Sequence, residues 1–399
     1  MDTYYKKIIY KKNAFEDLKT YVKLNFNRKN ILLVSTKNIQ TEDVTNLLNS
    51  LFCGSENVAH YVCRDHFSIN ELDEINKKIN NGQYSLIVAF GGGKCCDVVK
   101  LFAHSYNLPY VVCPTVATSL AYFTNYCINP YDSTKSFYAN MPNKIFIQES
   151  LIKESNCLSN INGLCFLNAL RCVYIEGMCE RDEKTAYIYL GLEKLFAKLE
   201  YEQTNILLCG EDSNLVLMDL MIDFGFFVGM LDREKFYLFN MYCYNLKISE
   251  LKDTSYSGKM LLLCAKTILN LMHKYFTLNT TQVIEKVNFD RLAESIRKNN
   301  LSYKFLKNDA YLRNIFKKAY IKIDFLENRD VYTQQIDEQL NKISTFCDQV
   351  KNVYKYGIEI YDSFDNIFDS LFVTPYLYNS NNVIDLIAGS GILNSFCIN

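Results

Sequence analysis

Between Ser85 and Lys100 the chain reads SLIVAFGGGKCCDVVK, an apolar strand-like run joined to a helical run by three consecutive glycines. No other segment limits the fold as much. Glycine lets the backbone turn tightly and approach a ligand closely. The first turn of the following helix then offers N–H groups without intrahelical acceptors, at the positive end of the helix dipole. A strand, a glycine turn and a helix in that order form a phosphate cradle, and a diphosphate-bearing cofactor is its natural guest. The ordinary alternative is a tight turn that packs a helix onto a sheet.

The neighbouring segments place this turn in an α/β domain. Asn30–Thr36, Val58–Cys63, Leu86–Phe90 and Tyr110–Cys113 are short β-rich runs, and the stretches Thr41–Leu51 and Asn70–Asn80 between them carry apolar residues at helical spacing. Strands alternating with helices predict a parallel sheet. From Leu151 the pattern turns helical, over Ile161–Cys179, Glu183–Tyr201, Ser213–Leu231, Ser257–Phe276, Phe289–Lys298, Tyr332–Lys351 and Val383–Ile392. The expected architecture is a Rossmann-like parallel-sheet domain over residues 1–150, an all-helical domain over 151–399, and a cleft between them.

Charge and cysteine usage narrow the partners. Lys plus Arg (43) balances Asp plus Glu (44), so no basic surplus calls for nucleic acid. No run of about eighteen apolar residues spans a membrane, and the N-terminus lacks the apolar stretch of a signal peptide. Fifteen cysteines, an odd number without a CxxC pair, do not make a closed disulfide framework. A cytoplasmic protein with reduced thiols and a small-molecule substrate is expected.

After the glycine turn comes Pro109-Tyr-Val-Val-Cys-Pro114-Thr115-Val-Ala-Thr118-Ser119. Together the two segments resemble the iron-containing alcohol dehydrogenase and dehydroquinate synthase-like superfamily, whose hallmark is GGGxxxDxxK followed by a strand ending in PTxAS. Glycerol-1-phosphate and glycerol dehydrogenases look most similar. The segment from Pro375 to Leu393 also resembles the C-terminal helix of that group. The resemblance implies that Gly91, Gly92 and Gly93 hold the diphosphate of NAD(P), with Lys94 and Asp97 supporting the turn and Thr115, Thr118 and Ser119 serving the cofactor. It further implies a homo-oligomer and a polyol or polyol phosphate as substrate. Read without it, Lys94 and Lys100 are equally a solvated helix face, and Asp97 a surface helix partner. Ser35-Thr36-Lys37 stands where an acid usually meets the adenosine ribose, and a cation there suits a 2′-phosphate.

The resemblance also implies a Zn or Fe ion held by an acid and two histidines, and here the chain departs from the pattern. Asn168, in Asn162-Gly163-Leu-Cys-Phe-Leu-Asn168-Ala-Leu-Arg171-Cys172, takes the place of the expected aspartate, with Cys172 one turn on. Of four histidines, His60, His66 and His104 precede residue 150, leaving His273 as the remaining candidate ligand. Ser257-Gly258-Lys259 replaces the histidine-bearing segment, so Lys259 is the catalytic candidate. Each has an ordinary reading: a packed amide and thiol, a core or interface histidine, an exposed lysine. The adjacent Cys95 and Cys96 read as apolar filler, with a redox role as the alternative. Three functions stay open: an NAD(P)-dependent dehydrogenase, a metal-free descendant that binds a nucleotide or small ligand, and a dehydroquinate synthase-like lyase.

Overall fold

A computed structural model describes residues 2–27, 29–37, 39–52, 57–64, 67–133, 135–180, 185–210, 212–233, 236–251, 257–277 and 329–354. The expected helices at Phe289–Lys298 and Val383–Ile392, and the C-terminal motif after Pro375, lie outside these residues. The chain divides into two compact units, one of residues 1–164 with 202–229, the other of residues 165–201 with the chain from 230 onward.

The first unit is built on a six-stranded, fully parallel sheet. Its strands are β1 (Ile8–Lys11), β2 (Asn30–Thr36), β3 (Asn57–Cys63), β4 (Leu86–Gly91), β5 (Tyr110–Pro114) and β8 (Lys144–Gln148), in the order β1-β8-β5-β4-β2-β3. A separate antiparallel ribbon pairs β6 (Tyr126–Ile128) with β7 (Ser136–Tyr138). Every residue of β4 and β5 is buried. That is why these strands read as unbroken apolar runs, since a parallel sheet is covered on both faces. Alternation divides the load. Ile31, Leu33, Leu86, Val88, Phe90, Val111 and Phe146 join one core with Leu18 and Val22 of α2 (Ala14–Asn25) and Leu47 and Leu51 of α3 (Thr41–Phe52). Leu32, Val34, Ile87, Ala89 and Val112 are buried on the other face, where α5 (Gly93–Ser105) packs.

The chain opens on the short helix α1 (Asp2–Tyr5), and further along come α4 (Ile69–Gly82), α6 (Glu149–Lys153), α7 (Cys157–Glu180), α8 (Ala186–Leu207) and α9 (Ser213–Val228). They are followed by α10 (Tyr237–Leu251), α11 (Ser257–Thr277) and α12 (Arg329–Tyr354). The first unit takes α9 back to itself: a side chain at Gly163 of α7 would meet Leu217 and Met221 of α9, and Tyr4 donates to the Ile222 carbonyl at 3.0 Å. The second unit is helical among its described residues. Most residues of α7 from Ile161 to Cys179 are buried, as for a helix that is apolar all round. No described helix is long and apolar enough to cross a membrane. The buried cysteines, Cys95 and Cys96 included, are free thiols, whereas Cys209 departs from the all-reduced expectation as disulfide-bonded.

Candidate functional site

Strand order creates the site. The crossover after β2 leads to β3 on one side and that after β4 to β5 on the other, so the strand order reverses between the C-terminal ends of β2 and β4. Open α/β sheets bind their ligands at such a point. A cavity of about 620 Å³ lies here, within the usual range for cofactor sites. Thr36 lines it from the end of β2 and Lys37 from just beyond, Arg64 from just beyond β3, Gly92 and Lys94 from the glycine turn, and Thr115 from the loop after β5. Asp43 of α3 and Glu154 to Asn156 between α6 and α7 complete the wall.

The three glycines differ in what they answer to. A Cβ on Gly91 would come within 3.1 Å of the Cys95 Cβ and 3.4 Å of the Thr36 Cγ2, so close packing of β4 on its neighbours favours glycine there. A Cβ on Gly93 would stand 2.5 Å from the Ser119 Oγ, which leaves no room for one. Gly92 has ordinary extended backbone, φ −81° and ψ −174°, and its nearest neighbours to a Cβ are Val116 at 3.9 Å and the Tyr122 hydroxyl at 4.0 Å. Nothing in the protein requires glycine at 92. What its missing side chain leaves open is the cavity, beside helix amides of Gly93, Lys94 and Cys95 that have no intrahelical acceptor.

The turn is held from behind. The Thr115 amide donates to the Gly91 carbonyl at 3.4 Å. Ser119 caps the 3-10 turn Leu120–Phe123 by accepting from the Ala121 amide at 3.1 Å. Lys100, for which a solvated helix face was an even alternative, is fully buried. Its Nζ donates to the carbonyls of Ala121 (2.9 Å), Thr124 (3.0 Å) and Tyr126 (2.7 Å), and pairs with the Asp97 carboxylate at 3.7 Å. Asp97 thus faces this anchor, and α5 is tied to the loop that follows Ser119. On that loop the Tyr122 hydroxyl is buried and makes no hydrogen bond of ordinary geometry among the described residues, although the Thr118 hydroxyl beside it favours its ionised form. Burial pushes the phenol well above its usual range. Burial likewise raises the Cys95 thiol and takes the Cys96 thiol up to about 12, which suits apolar filler and not redox chemistry.

Gly92, Lys94 and Thr115 therefore meet on one cavity, while Gly91, Gly93, Asp97, Thr118 and Ser119 shape the backbone behind it. Sequence reasoning missed Arg64, Tyr122 and Gly163. The signal for Arg64 was its place directly after the strand NVAHYVC. Gly163 lets the Ala117 carbonyl approach, since a Cβ there would stand 2.4 Å from that oxygen.

The candidates in the helical unit have other partners. The Asn168 Oδ1 accepts from the Arg171 Nε at 3.2 Å. Arg171, buried, also donates to Gln339 (2.8 Å) and Glu200 (3.0 Å), and lies over the Phe196 ring. The Cys172 thiol donates to Glu176 at 3.3 Å and is pushed well above its usual range by burial and then by Glu176. His273 Nε2 lies 3.0 Å from the Asp337 carboxylate on a partly exposed surface. Lys259, half-buried on α11, acts on the buried Cys165 thiol by lowering its pKa against the effect of burial. No three His, Cys, Asp or Glu side chains gather to hold a metal among the described residues. A neutral amide already bonded to a guanidinium brings no negative charge to a divalent cation, and the Cys172 thiol has no second and third ligand beside it among the described residues.

Residues 6–145 match the family model described as iron-containing alcohol dehydrogenase. Glycerol dehydrogenase 1 of Schizosaccharomyces pombe is 30% identical over 162 residues, 40% of this chain and 36% of that protein. Glycerol-1-phosphate dehydrogenase [NAD(P)+] of Nitrosopumilus maritimus is 26% identical over 87 residues, 22% of this chain and 25% of that protein. The matched stretches thus span about a third and a quarter of these relatives' own length. Among solved structures, the glycerol dehydrogenase of S. pombe superposes with a TM-score of 0.53 at 16% identity, over 88% of this chain and 91% of that one. An archaeal halo-thermophilic alcohol dehydrogenase from a Red Sea brine pool gives 0.60 at 12%, over 97% and 96%. At such identities these structures establish the fold: a Rossmann-like sheet domain followed by a helical one.

Proposed function

We propose, on the premise that residues 6–145 form a domain of the iron-containing alcohol dehydrogenase type, that this chain binds NAD(P) and acts as a dehydrogenase of a polyol or polyol phosphate. Gly92 carries the reading. It is the one glycine of the turn whose side chain the protein would tolerate, and it borders a cavity at the sheet's switch point. Gly92 and the first amides of α5 would hold the diphosphate, with Lys94 adding charge and Thr115 and Thr118 supporting the nicotinamide half. When bound, the nicotinamide supplies hydride exchange with a hydroxyl-bearing carbon.

Titration of NADPH and NADH by cofactor fluorescence tests the reading. Gly92→Val fills the cavity side of the turn and weakens the tighter dinucleotide at least about tenfold, a loss of about 1.4 kcal/mol, with the melting temperature nearly unchanged. Gly93→Ala, whose methyl would collide with Ser119, instead lowers the melting temperature. Unaltered affinity in Gly92→Val overturns the proposal.

One observation favours a second reading. With Asn168 bonded to Arg171 where the resemblance places a metal carboxylate, the chain fits a metal-free member that keeps the nucleotide cavity and uses it for binding.

A further inference from the structure

We infer that the cavity selects the 2′-phosphorylated dinucleotide through Lys37 and Arg64, an inference that rests on the cofactor reading above. The last paired residues of β2 and β3 are Thr36 and Cys63, so Lys37 and Arg64 leave two adjacent strand ends side by side. Neighbouring strands stand about 4.8 Å apart, and the Lys37 amide donates to the Cys63 carbonyl at 3.1 Å, holding the two ends together. The Arg64 amide donates to Glu71 Oε1 at 2.5 Å, and Glu71, itself buried, also accepts from the amides of Phe67 (3.0 Å) and Ser68 (3.3 Å). The strand ends are fixed while both cationic side chains reach an exposed cavity wall.

Their charge is available. Neither side chain has a hydrogen-bond or ion-pair partner among the described residues. The carboxylates on the cavity wall, Asp43 and Glu154, form no ion pair with Lys37 or Arg64 among the described residues; the Asp43 carboxyl is raised above its usual value by burial first, then by repulsion from Glu154 and Glu42. The strand end itself offers no carboxylate to the ribose 2′-hydroxyl of an unphosphorylated cofactor: Ser35 is buried against His60 at 2.7 Å and Thr36 and Lys37 follow it, while Asp43 stands six residues further on, in the first turn of α3. A 2′-phosphate dianion supplies the acceptor oxygens that an ammonium and a planar guanidinium recognise together.

The test compares NADPH with NADH on the full chain, with adenosine 2′,5′-bisphosphate and adenosine 5′-monophosphate as competitors that lack the nicotinamide. NADPH is expected to bind at least about tenfold tighter, and the bisphosphate to compete better than the monophosphate, with the gap narrowing as salt rises. The Lys37→Ala/Arg64→Ala double variant should lose this preference while NADH affinity changes by less than about twofold. Both residues are exposed, so the fold survives, as a melting curve will verify. Equal or tighter binding of NADH, or a double variant that weakens both dinucleotides alike, overturns the inference and leaves the glycine cradle standing. Failure of both dinucleotides to bind overturns the inference together with the cofactor reading.

Discussion

A buried ammonium is costly unless its donors are met, and at Lys100 they are met by the carbonyls of Ala121, Thr124 and Tyr126 and by Asp97. Truncation leaves these acceptors buried without their donor. Lys100→Met is therefore expected to cost about 3–5 kcal/mol, the range for breaking a buried charged pair, as read from urea unfolding. Because the same loop packs Ser119 against Gly93 and Tyr122 near Gly92, the variant should also weaken NADPH binding. An effect below about 1 kcal/mol would show that the lysine is not the anchor of this loop. The three-residue spacing from Lys94 made Asp97 legible as a helix partner, but its pairing with Lys100, three residues on, was not foreseen. Their burial was not legible, because it depends on the return of residues 120–126 across α5, a contact that no local pattern encodes. The roles of the glycines were legible only as a group. Which one faces the cavity follows from what packs around each.

At the scale of elements, the start of α3 sets two effects against each other. A carboxylate in the first turn of a helix is stabilised by the dipole, typically by about 0.3–1 kcal/mol, yet Asp43 is shifted the other way by burial and by Glu154. Its pKa in the folded protein lies above the unfolded value, so the ionised form is disfavoured on folding. The penalty is present at neutral pH and disappears as pH falls through the raised pKa. Asp43→Asn should therefore raise the melting temperature at pH 7, with the gain fading towards pH 4. A gain that grew on acidification would reverse the assigned sign. The strands legible in sequence were those buried on both faces, β2, β4 and β5, together with β3. The edge strand β1 and its neighbour β8 end in polar residues, a lysine in β1 and a lysine and a glutamine in β8, which leaves each only three apolar or aromatic residues in a row and no distinct apolar run. Helix α10 was missed because its aromatic residues and asparagines blur the helical period.

Across the whole molecule the two units differ in how much of their chemistry is already assembled. The first carries a cavity at its switch point; the second offers, among its described residues, an amide, a buried thiol and a half-exposed histidine, each engaged elsewhere. The return of α9 to the first unit was not legible, since its helical period is the same whichever unit buries it. Asn168 and Lys259 stood out in sequence only against the resemblance, and the partner of Asn168, Arg171, was not legible, because its contacts to Glu200 and Gln339 lie 29 and 168 residues away in sequence. A fixed guanidinium beside Asn168 would repel a divalent ion, and it already engages the amide oxygen. The protein purified after exposure to zinc and iron should thus hold far less than one equivalent of either metal by elemental analysis. NADPH affinity should be the same before and after treatment with a chelator, because Gly92, Lys37 and Arg64 need no metal to act. One firmly bound equivalent of zinc or iron, lost in Asn168→Ala, would overturn this expectation and restore the metal-dependent dehydrogenase as the reading of the second unit.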